Sequence, residues 1–207
     1  MDVYAEIRKQ VGAVFPVAIK LNSADFQKGG FTEEDSLATI KALSKAGIDL
    51  IEISGGTYES GVAKAPQKAS TIAREAFFID FAEKVRAQVK TPLMLTGGFR
   101  SVEGMNQALG SNAFDVVGIA RLMAIDPDAP KYLLAGTNSN QTVQQIKTGI
   151  KKIDQLGIME VLWYTQQLSR IAKGRNPKPN ESGLWAFIKS VLRSGWGTYK
   201  TQRTRMK

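Results

Sequence analysis

Two turns that carry glycine, alanine and arginine follow short apolar runs in the stretch from Thr91 to Asp128. Thr96–Arg100 comes after Leu93-Met94-Leu95, and Ala120-Arg121 comes after Val116–Ile119. Small residues let main-chain N–H groups approach phosphate oxygens, a helix N-terminus supplies positive potential, and an arginine pairs with two oxygens. The two turns therefore predict an anion site for a phosphate-bearing cofactor.

Two further charged residues lie inside apolar runs that read as strands. Lys20 lies near the end of Val17–Asn22, and Glu52 lies within Ile48–Ser54. Apolar neighbours predict burial, and a lysine is rarely buried without a partner, so Lys20 is a candidate site residue. An edge strand that lets Lys20 reach solvent explains the pattern equally well. For Glu52 the sequence favours a structural carboxylate inside a barrel over a site residue.

The composition excludes several kinds of chemistry. The chain of 207 residues has no cysteine, so disulfides, thiolate catalysis and cysteine metal sites are excluded. It also has no histidine, which removes the commonest general acid or base and the commonest metal ligand. The N-terminal stretch has no signal-peptide pattern and no apolar run approaches ~20 residues, so we expect a cytoplasmic protein without a metal site.

The net charge of +9 belongs to the C-terminal part of the chain. Trp163–Lys207 holds ten Lys or Arg residues and one acid, Glu181, which leaves the preceding part neutral. Aromatic residues interleave with these basic residues, a pattern also found in proteins that bind single-stranded nucleic acid. We expect a solvated segment rather than one that contacts nucleic acid or a membrane.

Strands and helices are expected to alternate over the first two thirds of the chain. Strands start near positions 17, 48, 93 and 114, and each is followed by a helix. This alternation predicts an α/β fold with parallel strands and right-handed crossovers, and four β/α units are half of a (β/α)8 barrel. The predicted helices are Asp2–Val14, one capped by Thr32 that stops at Gly47, Arg74–Val89 and Val102–Leu109.

The C-terminal part reads as helices separated by polar breaks. We expect a helix capped by Thr142 that carries Val143, Ile146, Ile150 and Ile153, then Met159–Ala172, a linker at Lys173–Pro179 and an amphipathic helix at Leu184–Leu192. The long loop Thr57–Ile72 is typical of a lid or binding loop. The expected division is residues 1–135 as half barrel, 136–174 as terminal helices that pack on it and 175–207 as basic tail.

Five blocks of the chain resemble the Old Yellow Enzyme family of NAD(P)H-dependent, FMN-containing oxidoreductases. These blocks are PVAIKLN, LIEISGGTYE, PLMLTGGFRS, DVVGIARLMAIDPD and WYTQQLSRIAKG. The similarity runs in register over most of the chain and corresponds to the C-terminal half of the family's TIM barrel. It implies the last four β/α units, from the helix before the fifth strand onward.

The resemblance also implies roles for individual residues. Lys20 matches the basic residue that lies by flavin N1 and O2, where a cation stabilises the charge of a reduced flavin. Gly97 and Gly98 match the phosphate-binding turn after the seventh strand, and Arg121 matches the arginine on the phosphate after the eighth. The complete set of implied cofactor-binding residues is Lys20, Gly97, Gly98, Phe99, Arg100, Ala120 and Arg121, with Ser54 and Gly55 as further candidates that line the site.

The chain departs from the family in two ways. Ala120 stands where glycine is usual, which costs stability if its φ is positive. The family's substrate-anchoring histidine pair and tyrosine proton donor belong to the first four units, so we expect no catalytic residue in this chain. The open sheet of a half barrel also exposes strand edges, so we expect self-association or pairing with a missing N-terminal half.

Three functions follow as alternatives. The first is the FMN-binding part of an ene-reductase or NADH:flavin oxidoreductase, incomplete alone, in which hydride passes from NAD(P)H to FMN and on to an activated alkene as small-molecule substrate. The second is a stand-alone phosphate-binding half barrel without redox activity, for which Lys20 is incidental. The third is an inactive product whose basic tail binds RNA or lipid.

Overall fold

A sheet of four parallel strands forms the centre of the computed structural model, which describes residues 1–55, 75–155 and 157–193. The strands are β1 (Ala18–Asn22), β2 (Leu50–Ser54), β3 (Leu93–Thr96) and β4 (Val116–Gly118). They are hydrogen-bonded in the order of the chain, β1-β2-β3-β4. Sequential parallel order is that of a barrel, so the expected half-barrel arrangement of β/α units is confirmed.

The helices within the described residues begin and end close to the predicted positions in the first two thirds of the chain. They are α1 (Asp2–Val11), α2 (Glu33–Lys45), α3 (Ile79–Arg86), α4 (Val102–Leu109), α5 (Arg121–Ile125), α6 (Ala129–Leu134), α7 (Lys151–Asp154), α8 (Met159–Ile171) and α9 (183–193). The helix predicted from Arg74 to Val89 is too long, because residues 75–78 and 87–89 are not helical. Arg74 itself and the loop Thr57–Ile72 lie outside the described residues.

The two faces of the sheet differ in burial. Ile51, Ile53, Leu93 and Leu95 are fully buried on the face of the inner strands that the helices cover. The register pairs Lys20 with Glu52 and Glu52 with Met94, so these side chains share the opposite face. That second face combines the charged pair Lys20 and Glu52 with the apolar Met94 and is partly exposed, as for the interior of a barrel that the four strands do not close.

Local signals explain the helices that surround the sheet. Thr32 caps α2 as expected: its hydroxyl accepts the Asp35 N–H at 3.1 Å, and the Asp35 carboxylate accepts the Thr32 N–H at 3.1 Å. This reciprocal pair satisfies two donors that the first turn leaves free. Ser101 caps α4 in the same way, since its hydroxyl accepts the Gly104 N–H at 3.0 Å.

The chain forms two compact units, which do not coincide with the segments expected from the sequence. The first holds Met1–Ala120 with Gly136–Asn138 and contains the sheet, and the second holds Arg121–Ala135 with Ser139–Lys207. In the second unit Trp163 and Tyr164 of α8 pack with Leu122 of α5 and Ala186 of α9 in one buried cluster. Residues 183–193 therefore belong to this helical core.

The predicted helix from Thr142 to Ile153 is wrong. Only Lys151–Asp154 is helical there, and residues 141–148 have no regular secondary structure. Gly149 has a φ of 80°, which breaks a right-handed helix, and the Asp154 carboxylate accepts the Thr148 N–H at 2.7 Å and the Gly149 N–H at 3.2 Å. The apolar spacing instead serves packing, because Val143 and Ile146 lie against the buried cluster of the second unit.

The predicted linker Lys173–Pro179 is irregular but tied to α8. Gln167, which is fully buried, accepts the Lys178 N–H at 2.7 Å, and Arg170 Nε donates to the carbonyl of Asn176 at 2.9 Å. Across the described ranges, no helix combines the length and the apolar character needed to cross a membrane.

Candidate functional site

The turn after β3 fits glycine and no other residue at its centre. Gly97 and Gly98 have φ values of 145° and 90°, in the region that residues with a side chain rarely adopt. A Cβ on Gly98 would lie 1.7 Å from the carbonyl oxygen of Glu75, and one on Gly97 would lie 2.7 Å from the Phe78 ring. Both glycines are therefore required by space as well as by backbone conformation.

The N–H groups of this turn divide into two sets. The Glu75 carboxylate accepts the N–H groups of Arg100 and Ser101 at 2.7 and 2.9 Å, directly before α4. Among the described residues, the N–H groups of Gly98 and Phe99 donate to no hydrogen-bond acceptor. Unpaired N–H groups in a glycine turn are suited to bind an anion.

The segment before α3 holds this turn in place. The Phe77 N–H donates to the carbonyl of Gly97 at 3.1 Å, and the Phe77 and Phe78 rings meet edge to face with centroids 6.5 Å apart. Phe78 is buried and also stacks with Phe26 at 6.3 Å. These rings are packing residues, and they hold the backbone of the turn in place.

Lys20 lies on the open face of the sheet next to a carboxylate. Its ammonium group forms an ion pair with Glu52, and the Thr96 hydroxyl donates to the same carboxylate oxygen at 2.7 Å. The Lys20 side chain is 55% exposed. The burial expected for Lys20 is absent, and the alternative of an edge strand that lets it reach solvent agrees with the structure. Lys20 and Glu52 are the central residues of β1 and β2, and Thr96 is the last residue of β3.

Phe99 and Arg100 use their side chains for contacts within the protein. Phe99 is buried and packs on Phe114 with ring centroids 6.0 Å apart. The Arg100 guanidinium donates through Nε to the carbonyl of Gly98 at 3.2 Å and its side chain is exposed. Of these two predicted site residues, Phe99 therefore offers its backbone N–H and Arg100 retains guanidinium donors.

Ala120 and Arg121 stand at the boundary between the two units. Ala120 is exposed and does not have a positive φ, so the cost expected from replacing glycine is absent. Arg121 begins α5 and is exposed, and its Nη1 donates to the Glu160 carboxylate of α8 at 3.0 Å. The guanidinium has four further N–H groups for an anion. Arg121 belongs to the second unit and the β3 turn to the first, and their joint binding of a phosphate stays a prediction.

Two residues that the structure singles out were missed by the sequence analysis. Glu75 is separated from the β3 turn by more than twenty residues, and Ser23 carries a buried hydroxyl with no partner among the described residues. The sequence placed Thr96 in the turn but did not predict its hydrogen bond to Glu52. No local pattern marks these features, because the contacts and the burial involve distant segments. The Ser54 hydroxyl donates to the carbonyl of Leu21 at 3.4 Å, so it connects β2 to β1 within the sheet.

A comparison with protein families identifies the chain's relatives. The model of the NADH:flavin oxidoreductase / NADH oxidase family matches residues 1–140. The chain belongs to this family. The match covers the whole sheet and all seven residues predicted to bind the cofactor, so the resemblance found in the sequence is confirmed, and with it an oxidoreductase family that works with a flavin and NADH.

Relatives in this family are longer than the chain. It is 35% identical over 159 residues to the NADH-dependent flavin oxidoreductase iliE of Neonectria sp. (strain DH2), covering 72% of this chain and 20% of that protein. It is 25% identical over 192 residues to the NADH oxidase of Thermoanaerobacter brockii, covering 92% of this chain and 28% of that protein. The chain therefore spans between a fifth and about a third of the length of such relatives.

Solved structures show the same partial coverage. A 2-naphthoyl-CoA reductase in complex with 2-naphthoyl-CoA matches with a TM-score of 0.53 and 28% identity, over 63% of this chain and 20% of that one. A histamine dehydrogenase from Rhizobium sp. 4-9 matches with a TM-score of 0.51 and 20% identity, which shows the fold alone. Both solved oxidoreductase structures match this chain over only part of their own length, which supports the half-barrel fold.

Proposed function

We propose that the chain forms the FMN-binding part of an NAD(P)H-dependent flavin oxidoreductase that reduces activated alkenes. The observation that carries the proposal is the Gly97–Phe99 turn, in which a Cβ fits at neither glycine and two N–H groups are unpaired among the described residues. Such a turn at the carboxyl end of a barrel strand is where this fold binds phosphate groups. Family membership supports a flavin as the cofactor that carries this phosphate.

The residues on the open face fit the rest of such a cofactor. Lys20 offers a cation in the middle of β1, where it pairs with Glu52, and Thr96 donates a hydrogen bond to the same carboxylate. In the proposed site Lys20 lies by the flavin ring and Arg121 pairs with the phosphate, as the resemblance implies. Glu52 offsets part of the positive charge of Lys20, so we expect a smaller electrostatic effect on the flavin than a lone lysine gives.

A bound FMN would supply the redox centre for hydride transfer from NAD(P)H to the substrate alkene. This chain's residues bind and orient: the turn holds the phosphate, and Lys20 donates hydrogen bonds. A relative named cinnamate reductase, from Clostridium sporogenes, is 23% identical over 64% of this chain and acts, by its name, on an alkene next to a carboxyl group. In this proposal, the residues that bind the substrate and the groups that protonate it lie outside this chain, which contains no histidine.

Titration with FMN, riboflavin and a simple phosphate ester separates the candidate functions. We expect FMN to bind with a change in flavin fluorescence and absorbance, riboflavin to bind more weakly, and the phosphate ester alone to bind weakest. The phosphate-binding module without redox activity requires the ester to bind in preference to both flavins. No binding of FMN by any oligomeric form at micromolar concentration contradicts the proposal.

The Arg121→Ala variant tests the phosphate assignment. A hydrogen-bonded pair with a charged group contributes about 1.5–3 kcal/mol, so we expect FMN affinity to fall roughly tenfold to hundredfold. Riboflavin, which has no phosphate, should bind the variant as it binds the wild type. Arg170→Ala in the same unit is the matched control, since the described hydrogen bond of the Arg170 guanidinium goes to the carbonyl of Asn176. Equal losses for FMN and riboflavin would show that Arg121 does not hold the phosphate.

A further inference from the structure

Side chains of the protein itself occupy the start of helix α4, directly after the β3 turn. The Glu75 carboxylate accepts the N–H groups of Arg100 and Ser101 through a single oxygen, Oε2, at 2.7 and 2.9 Å. The side-chain oxygen of Asn138 accepts the Val102 N–H at 2.7 Å. Three successive N–H groups that lead into the helix therefore have acceptors within the chain.

Two local features place the Glu75 carboxylate at this position. Glu75 has a φ of 60°, in a region that residues with a side chain rarely adopt, and such strain is typical of functional positions. A Cβ on Gly104 of α4 would lie 2.7 Å from Glu75 Oε2, so a glycine inside the helix leaves room for the carboxylate. Glycine is unfavourable inside a helix relative to alanine. The chain thus accepts two local costs that both bring this carboxylate to α4.

The occupied start of α4 matters for ligands that carry more than one phosphate group. One phosphate group at the β3 turn can accept the N–H groups of Gly98 and Phe99, which donate to no acceptor in the described chain. In dinucleotide sites a pyrophosphate lies at the N-terminus of the helix that follows a glycine turn. Here the negative charge of Glu75 lies at that position. A second phosphate group would therefore meet a like charge and N–H groups that are already bonded.

We propose that Glu75 limits the β3 turn to one phosphate group and thereby selects FMN over FAD. The inference rests on the flavin function proposed above and adds to it the residue that discriminates between the two cofactors. Glu75 acts by its charge and by occupying the N–H groups of Arg100 and Ser101. Because one oxygen accepts both N–H groups, Glu75→Gln keeps the acceptor and removes the charge, whereas Glu75→Ala removes both.

The first test is the ratio of FMN affinity to FAD affinity, measured by fluorescence titration of the full chain. The wild type should bind FMN more tightly than FAD. Glu75→Gln should lower the ratio about tenfold, because it removes a repulsive charge beside the second phosphate group of FAD. Glu75→Ala should lower the ratio further, since the N–H groups of Arg100 and Ser101 then become available to that phosphate group.

Glu103→Gln is the matched control for charge. Glu103 is an exposed residue in the first turn of α4, and the N–H groups of Arg100 and Ser101 donate to Glu75 instead. The control should leave the ratio of the two affinities unchanged. A purely structural role of Glu75 would lower the affinities for FMN and FAD by the same factor, and that result overturns the proposal. An equal change of the ratio in Glu103→Gln also overturns it, because the effect is then one of general charge.

Inorganic phosphate and pyrophosphate test Glu75 without a flavin. Calorimetric titration should show that Glu75→Ala raises the affinity for pyrophosphate relative to phosphate by about tenfold. If the wild type binds neither flavin but Glu75→Ala shows this change, the flavin function is wrong and the limit to one phosphate group stands. If the wild type binds FMN and Glu75→Ala changes neither ratio, the limit is wrong and the flavin function stands. A wild type that binds none of the four ligands overturns both.

Discussion

At the residue scale, the candidate anion site depends on a backbone conformation that side chains elsewhere impose. Glu75 binds the N–H groups of Arg100 and Ser101, while its own carbonyl lies where a side chain on Gly98 would go. The carboxylate thereby occupies the last two donors of the turn and leaves those of Gly98 and Phe99 unpaired within the described chain. Glu75 is thus a positioning residue for the turn.

Gly98→Ala should disrupt the conformation of the turn. Gly47→Ala should separate the cost of a positive φ from the cost of steric overlap. Both glycines have a positive φ, 90° and 83°, but Gly47 has no atom within 4 Å of a Cβ. A side chain in this region costs roughly 1–2 kcal/mol, and the overlap at Gly98 adds about 1–3 kcal/mol. We expect urea unfolding to show the larger loss for Gly98→Ala, together with loss of FMN binding. Equal stability losses in the two variants would show that space at Gly98 is unimportant.

At the element scale, α1 is attached to the sheet by charge and hydrogen bonds instead of by an apolar core. Asp49 accepts the Val17 N–H at 2.7 Å and the Arg8 guanidinium at 2.5 Å. These contacts lower the pKa of the Asp49 carboxyl, with the Val17 N–H as the larger cause and Arg8 as the next. The same ion pair raises the pKa of Arg8.

The attachment of α1 should weaken in acid. Because the pKa of Asp49 is lower in the folded state, its contribution is complete above the unfolded value of about 3.9 and is lost as the pH falls through the folded value. Amide hydrogen exchange of Asp2–Val11 should therefore be faster in Asp49→Asn than in the wild type at neutral pH. Once the pH falls below the lowered folded-state pKa of Asp49 the difference should vanish, since both side chains are then neutral. A difference that persists unchanged in acid would assign the effect to packing.

At the scale of the whole molecule, the chain consists of a sheet unit and a helical unit. The helical unit is organised around Trp163, whose Nε1 donates to the carbonyl of Glu181 at 2.9 Å and whose ring meets Tyr164 edge to face at 4.9 Å. Burial also raises the pKa of Tyr164. Gln167 Nε2 donates to the Glu181 carboxylate at 3.3 Å, which joins α8 to the segment before α9.

Trp163→Ala should destabilise the helical unit far more than Trp185→Ala does. Trp163 is 1% exposed and Trp185 is 53% exposed, although both belong to the same unit. Removal of a buried aromatic side chain costs about 3–5 kcal/mol, whereas an exposed one costs little. Hydrogen exchange along Met159–Ile171 measures the effect directly. Similar exchange rates in the two variants would mean that the Trp163 cluster is not the core of this unit.

Most of the sheet unit follows from the sequence. Apolar runs, glycine stops and the Thr32 cap are local signals, so β1 to β4, α2 and α4 were predicted within a few residues, and the family blocks located the β3 turn. The helix predicted from Thr142 fails because its apolar spacing reflects contacts with α5 and α8, and a positive φ at Gly149 overrides the helical period. Periodicity reports which residues face the core, and it does so whether or not the backbone is helical.

The sequence by itself determined the order of the β/α units, the family membership and the position of the glycine-arginine turns. Each of these is recognised from short stretches of neighbouring residues. Only the tertiary structure decided that Glu75 holds the turn, that Glu52 and Thr96 surround Lys20, and that Asp49 attaches α1 to the sheet. These features join segments that are dozens of residues apart. Their free energy depends on distances that parallel pairing and crossover helices set, and no local pattern encodes those distances.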